Sequence, residues 1–181
     1  MKTLEQAKRR AFDLHWLATL LTGCRETAEN VTVAAAGEPN AFFSTWMQVW
    51  ARRTFIAKAL AIVREDLARS ARRTALRRAE MSELPPRSWV LDREITKRDL
   101  ERALLPIDVF PRAAVLLLAL ERMPLQDAAV LLNSEPDMVR TAMAAGLRDL
   151  TINLARMQGW KSVASKSTSE AQHVSTTKLP S

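Results

Sequence analysis

The chain is short of the residues that build rigid frameworks and reactive centres. Its 181 residues include one cysteine, two histidines, four glycines and no tyrosine. A single thiol, Cys24, excludes an internal disulfide, and Cys24 with His15 and His173 gives no zinc-ligand spacing. No metal or other cofactor is therefore expected, Cys24 is read as a buried or idle thiol, and His15 as a surface or interface histidine. No apolar run approaches the roughly 20 residues needed to span a bilayer, and Lys2 is not followed by a signal-peptide core with a cleavage site. The expectation is a cytoplasmic protein with no membrane partner. Paired carboxylates, a nucleophile beside a base and a glycine-rich phosphate loop are all missing, so the chain is not expected to be an enzyme.

What is present is helical material. Alanine, leucine and arginine are abundant, alternating runs worth reading as strands are absent, and 48% of residues are hydrophobic. We expect an all-α fold of two small helical domains joined by a linker. The first spans residues 1–78 and the linker 79–97; a helix-turn-helix four-helix bundle occupies 98–157 and a disordered Ser/Thr-rich tail 158–181.

In the first domain Phe12, Trp16 and Leu20 mark an amphipathic helix from about Leu4 to Leu21, which Thr22-Gly23 stops. A shorter helix follows over Arg25–Ala36. A long one then runs from about Ala41 to Arg73, with Trp46, Val49, Ile56, Leu60, Val63 and Leu67 at near-heptad spacing and Phe42, Phe43, Trp50 and Phe55 widening the apolar face. Pro85-Pro86 mark the linker, where Trp89, Val90 and Leu91 are placed to dock on a neighbour. In the second domain a helix near Lys97 is stopped by Pro106, Asp108 is placed to cap the next, and Pro111–Glu121 is apolar enough to be nearly surrounded.

The stretch from Pro124 to Leu154 reads as two helices around a polar break. Leu125, Ala128, Ala129 and Leu132 share one face, and Asn133-Ser134-Glu135 interrupts the pattern. Ser134 or Glu135 can cap the second helix, and Pro136 suits its first turn because its missing N–H is no loss there. Met138, Val139, Met143, Leu147, Leu150 and Leu154 form the expected buried stripe, leaving Asp137, Arg140, Thr141, Ala144, Ala145 and Arg148 outward. Helix-turn-helix units read DNA, and they also build ordinary bundles.

The formal net charge is +7 with a pI near 10.3, which points to a polyanion or an acidic protein surface as partner. The charge is unevenly spread. Residues 1–78 carry a net +7, residues 79–155 a net −3 and the remainder +3. Arg52, Arg53, Lys58 and Arg64, followed by Arg69, Arg72, Arg73, Arg77 and Arg78, face only Glu65 and Asp66 between Ala41 and Ala79. A solvated face is the plain reading of such charges, but with so few acids a nucleic-acid or acidic-protein contact is the better one.

Two stretches carry a family resemblance. LHWLATLLTGCRETAENVTVAA followed by FFSTWMQVWARRTFIAKALAIVREDLARSARR resembles region 2 of the extracytoplasmic-function (ECF) RNA polymerase sigma factors, where an "LLTGD-E-AED" phrase precedes a Trp- and Arg-rich helix. LERALLPIDVFPRAAVLLLALERMPLQDAAVLLNSEPDMVRTAMAAGLRDL is similar to their region 4. Together the stretches cover about residues 11–155, as a diverged member would. The resemblance implies a sigma-like transcription initiation factor that binds RNA polymerase core and directs it to promoter DNA, with an anti-sigma factor as a candidate further partner.

It also implies roles for individual residues. Glu29, Asn30 and Thr32 would dock on polymerase. Trp46, Trp50, Arg53, Lys58 and Arg64 would meet the −10 element, where unstacked bases rest on rings while basic groups hold the backbone. Arg140, Thr141 and Arg148 would read the −35 element. There are departures from the family pattern: Asn30 stands where Asp is usual, Thr32 and Val33 replace Gln with an acidic neighbour, and AAGEPNA is short. Ala142, Ala145 and Leu147 stand near positions that usually hold Arg, so the recognition helix is nearly neutral and weak −35 binding is expected. The alternative reading is a diverged sigma-like adaptor that binds protein partners and barely touches DNA. The charge distribution yields a ranking. Arg69, Arg72 and Arg73 changed together to Ala should weaken DNA binding more than Arg140 and Arg148 changed to Ala, as measured by fluorescence anisotropy.

Overall fold

The computed structural model describes residues 2–36, 45–76, 84–85 and 94–160. Among them every regular element is helical and no strand occurs. The helices are α1 (Lys2–Thr22), α2 (Arg25–Ala36), α3 (Thr45–Ile62), α4 (Arg64–Leu76), α5 (Lys97–Leu104), α6 (Val109–Val115), α7 (Leu125–Leu132) and α8 (Pro136–Met157), with a π-helical segment at Leu116–Leu120 after α6. Phe42, Phe43, Arg77, Arg78, Trp89–Leu91, most of the expected linker, the AAGEPNA stretch beyond Ala36 and the tail from 161 lie outside the described residues.

Local signals set most boundaries. α1 ends where Gly23 adopts φ +75°, a conformation that a residue without Cβ reaches freely. Thr96 and Asp99 form a reciprocal capping box at the start of α5. Asn133 takes the left-handed conformation that closes α7, and Pro136 opens α8 at its first turn. Glu135 is the N-cap of α8 but makes no side-chain cap bond. The expected long helix is instead two, interrupted at Val63. β-Branched Ile62 and Val63 weaken helix continuity, and Glu65 and Asp66 in the next turn favour a fresh N-terminus.

A single apolar cluster joins helices from both ends of the chain. It contains Leu17, Leu20 and Leu21 of α1, Phe55, Ile56 and Leu60 of α3, and Phe110, Leu116 and Leu117 of α6 and its extension. α6 is buried along its whole length, Arg112 included. Two polar contacts from other parts of the chain make that burial tolerable. Phe110 N–H, one of the unpaired donors of the first turn, donates to Ser70 Oγ of α4 at 3.1 Å. Arg112 Nη1 donates to the carbonyls of Leu105 and Ile107 at 2.8 and 2.9 Å. Loss of solvent pushes the Arg112 guanidinium below its usual range.

α8 lies against α6 through small residues. Val139, Ala142, Gly146, Ile152 and Ala155 are buried, whereas Leu147, expected inside, is exposed, and Met138, Met143, Leu150 and Leu154 are half-buried flanks. The contact line is therefore rotated from the large apolar residues to the small ones, which let the two backbones approach. A Cβ at Gly146 would stand 2.7 Å from Pro111 O and from Val115 Cγ2. Gly146→Ala should lower stability by about 1–3 kcal/mol despite the better helix propensity of alanine. The shift is read as a lower urea midpoint, and a midpoint at or above wild type would remove the close-approach explanation.

Candidate nucleic-acid interface

The basic residues expected to meet nucleic acid divide into two groups. The first is open. Arg64 and Arg72 are exposed on α4 and make no ion pair among the described residues. Lys58 is exposed on α3, Arg69 is exposed and ion-paired with Asp66 one turn earlier, and the Trp50 ring on α3 is 55% exposed. Trp46 lies at the start of α3, with no side-chain position described.

The second group is occupied by carboxylates from the C-terminal helices. Arg53 Nη2 donates to Asp127 of α7 at 2.5 Å. Arg73 donates from Nε and Nη2 to the two oxygens of Asp108 at 3.0 and 2.8 Å. Arg52, next to Arg53, makes a bidentate pair with Glu121 at 2.5 and 2.7 Å, and the Glu121 side chain is only 8% exposed. Hydrogen bonding to these carboxylates raises Arg52 and Arg73 above the ordinary guanidinium value. Two further pairs join the ends of the chain. Arg25 meets Glu101 at 2.9 Å, and Lys97 donates to Asp13 at 2.5 Å while lying 5.4 Å over the Trp16 ring.

Asp108 departs from its expected capping role. It occupies the N-cap of α6 without a side-chain cap bond, its oxygens being engaged by Arg73. That leaves the inner N–H of α6 to Ser70, a residue that no sequence pattern singled out.

The outer face of α8 is polar but nearly uncharged in sum. Arg140 is exposed and pairs with Asp137 at 3.0 Å, and Thr141 Oγ1 donates to the Asp137 carbonyl at 2.9 Å. Arg148 and Ala145 are half-buried and Ala144 is exposed, while Ala142 is a packing position in the core. On α2, Glu29 and Asn30 are exposed, and the Thr32 hydroxyl donates back to the Ala28 carbonyl at 2.7 Å.

Neither of the remaining chemical features makes a ligand site. A cleft of about 330 Å³ is lined by Thr22, Asp66, Arg73, Asp108 and Arg112 among others, and its two guanidinium groups and two carboxylates balance one another. Among the described residues no group of three or more His, Cys, Asp or Glu side chains could hold a metal ion. Cys24, read as buried or idle, is exposed at the start of α2, and hydrogen bonds from Thr27 lower its thiol below the usual value.

No protein-family model, curated protein or solved structure matches the chain. Among the described residues no helix is long and apolar enough to cross a membrane.

The two kinds of arginine should respond differently to truncation. Arg52→Ala strands a largely buried carboxylate and should cost about 1–3 kcal/mol. Arg140→Ala removes an exposed pair within one helix and should stay within about 0.5 kcal/mol. Urea denaturation of both variants measures the difference, and equal costs would mean that Glu121 is solvated.

Proposed function

We propose that the protein is a sigma-like transcription initiation factor of the ECF type, built as two helical domains and acting in the cytoplasm as a binding protein, not a catalyst. Its partners are RNA polymerase core and promoter DNA, with an anti-sigma factor as a regulator. The observation that carries the reading is the combination on α3 and α4 of a half-exposed Trp50 ring with the exposed cations Lys58, Arg64 and Arg72. Rings that bases can stack on, beside guanidinium groups that hold phosphates, suit a melted strand better than intact duplex.

The second half of the reading concerns α7 and α8, taken as a helix-turn-helix. They are joined by a short turn, and the outer face of α8 presents Arg140, Thr141 and Ala144. With Asp137 offsetting Arg140, this face supplies little phosphate affinity, so promoter contact rests chiefly on the N-terminal helices. Glu29, Asn30 and Thr32 of α2, the first two exposed, are the polymerase-docking residues.

One observation favours a second reading, a sigma-like adaptor that binds protein with little DNA contact. Val130 on α7 is 79% exposed and Leu147 on α8 is exposed, an apolar character better suited to a protein surface than to a phosphate backbone. The adaptor reading requires that binding of the partner survive Arg140→Ala with Arg148→Ala.

Size-exclusion co-elution of the folded protein with bacterial polymerase core, at low and moderate salt, tests the proposal. Co-elution at both salts is expected. Separate elution at both would remove polymerase as the partner.

A further inference from the structure

The arginines that a nucleic acid would need are partly spent inside the molecule. Arg52 and Arg53 are neighbours on α3, and each holds a carboxylate from beyond α6: Glu121 after the π-helical segment, and Asp127 in the first turn of α7. Arg73 on α4 holds Asp108 at the N-cap of α6. In all three pairs the cation comes from α3 or α4 and the anion from the C-terminal helices. The same sign relation holds for the two segments as wholes, +7 against −3.

The chemistry of these contacts matches that of a phosphate contact. An arginine fork donates to two carboxylate oxygens or two phosphate oxygens in the same geometry, and Arg52 and Arg73 each donate to two oxygens here. Asp108 and Asp127 also sit at helix N-termini, where backbone N–H groups favour negative charge. An anion that displaces them must therefore outcompete carboxylates held in place by the fold. At the rim this exchange is feasible, because Arg53, Asp127 and Arg73 are all partly open to solvent.

We propose that Asp108, Glu121 and Asp127 form an internal phosphate mimic that occupies Arg52, Arg53 and Arg73, so that nucleic acid binds by exchanging its phosphates for these carboxylates. The inference deepens the nucleic-acid part of the function proposed above and rests on it. The C-terminal helices thus restrain the DNA affinity of the N-terminal ones, and the exposed Arg64 and Arg72 make the first contact before the exchange.

The test uses the full chain and a fluorescein-labelled single-stranded 20-nucleotide DNA, without polymerase. Asp108→Asn with Asp127→Asn empties two of the mimic's three positions and adds two units of net charge. Glu26→Gln with Glu94→Gln adds the same charge at exposed sites that hold none of the three arginines. Binding tighter by about tenfold in the first variant, against about two- to threefold in the second, is expected if specific release of arginines outweighs general electrostatics. Equal gains in the two variants would overturn the mimic while leaving DNA binding intact. No binding by any variant would overturn both the mimic and the DNA reading, with polymerase co-elution then deciding the adaptor reading separately. Should the double variant lose its helical circular dichroism, Asp127→Asn alone, at a half-open pair on the surface, is compared with Glu94→Gln under the same criterion.

Discussion

The fold depends on the burial of α6. Its seven residues are all inside, so it has no face left for water and cannot exist as a helix before its neighbours arrive. Apolar surface supplies the driving force, but a buried helix brings with it polar groups that must be matched. α4 contributes Ser70 to the first turn, and Arg112 turns back to the carbonyls that connect α5 with α6. Both matches are made by residues that would be unremarkable in isolation. Without α4 the N-terminal N–H of α6 would be buried and unpaired, so the N-terminal helices are structural components of the C-terminal ones.

Around that core the charges are arranged by sign. Cations from α3 and α4 meet anions at the N-cap of α6, just after the π-helical segment and on α7; the Arg53 and Arg73 pairs are partly open to solvent, while Arg52 reaches a largely buried Glu121. Rim ion pairs add little stability in water individually, but they fix how one element sits on another. The net charge of +7 already counts these carboxylates, so the pairs leave the total unchanged and alter only where the positive charge is felt at close range.

Much of the fold could be read from the residues because its signals are local. Gly23, Pro106 and Pro136 mark helix ends through backbone constraints that operate whatever surrounds them. The split at Val63 was hidden because heptad spacing continues across it. The contact line of α8 was misread for a different reason: a search for large apolar residues selects Met143 and Leu147, whereas the closest approach is made by Ala142 and Gly146. At the candidate site the sequence identified arginines but not their occupancy. Sign and spacing on one helix carry no record of a carboxylate 35 to 74 residues away. Asp108, Glu121 and Asp127 became relevant only when the fold placed them.

The π-helical segment carries one further consequence. From Leu116 to Leu120 each turn holds more residues than an α-helical turn, with Glu121 N–H reaching back to the Leu116 carbonyl at 2.9 Å. Each residue of an α-helix advances the azimuth by about 100°, so the wider turn changes the direction in which the last residues of the segment and its C-cap, Glu121, face. Glu121, the residue that closes this wider turn, is the one that pairs with Arg52. The direction of a carboxylate is thus set by the winding of the five leucine-rich residues before it, and a one-residue deletion there would change which way the charge faces while leaving the composition of the segment almost untouched.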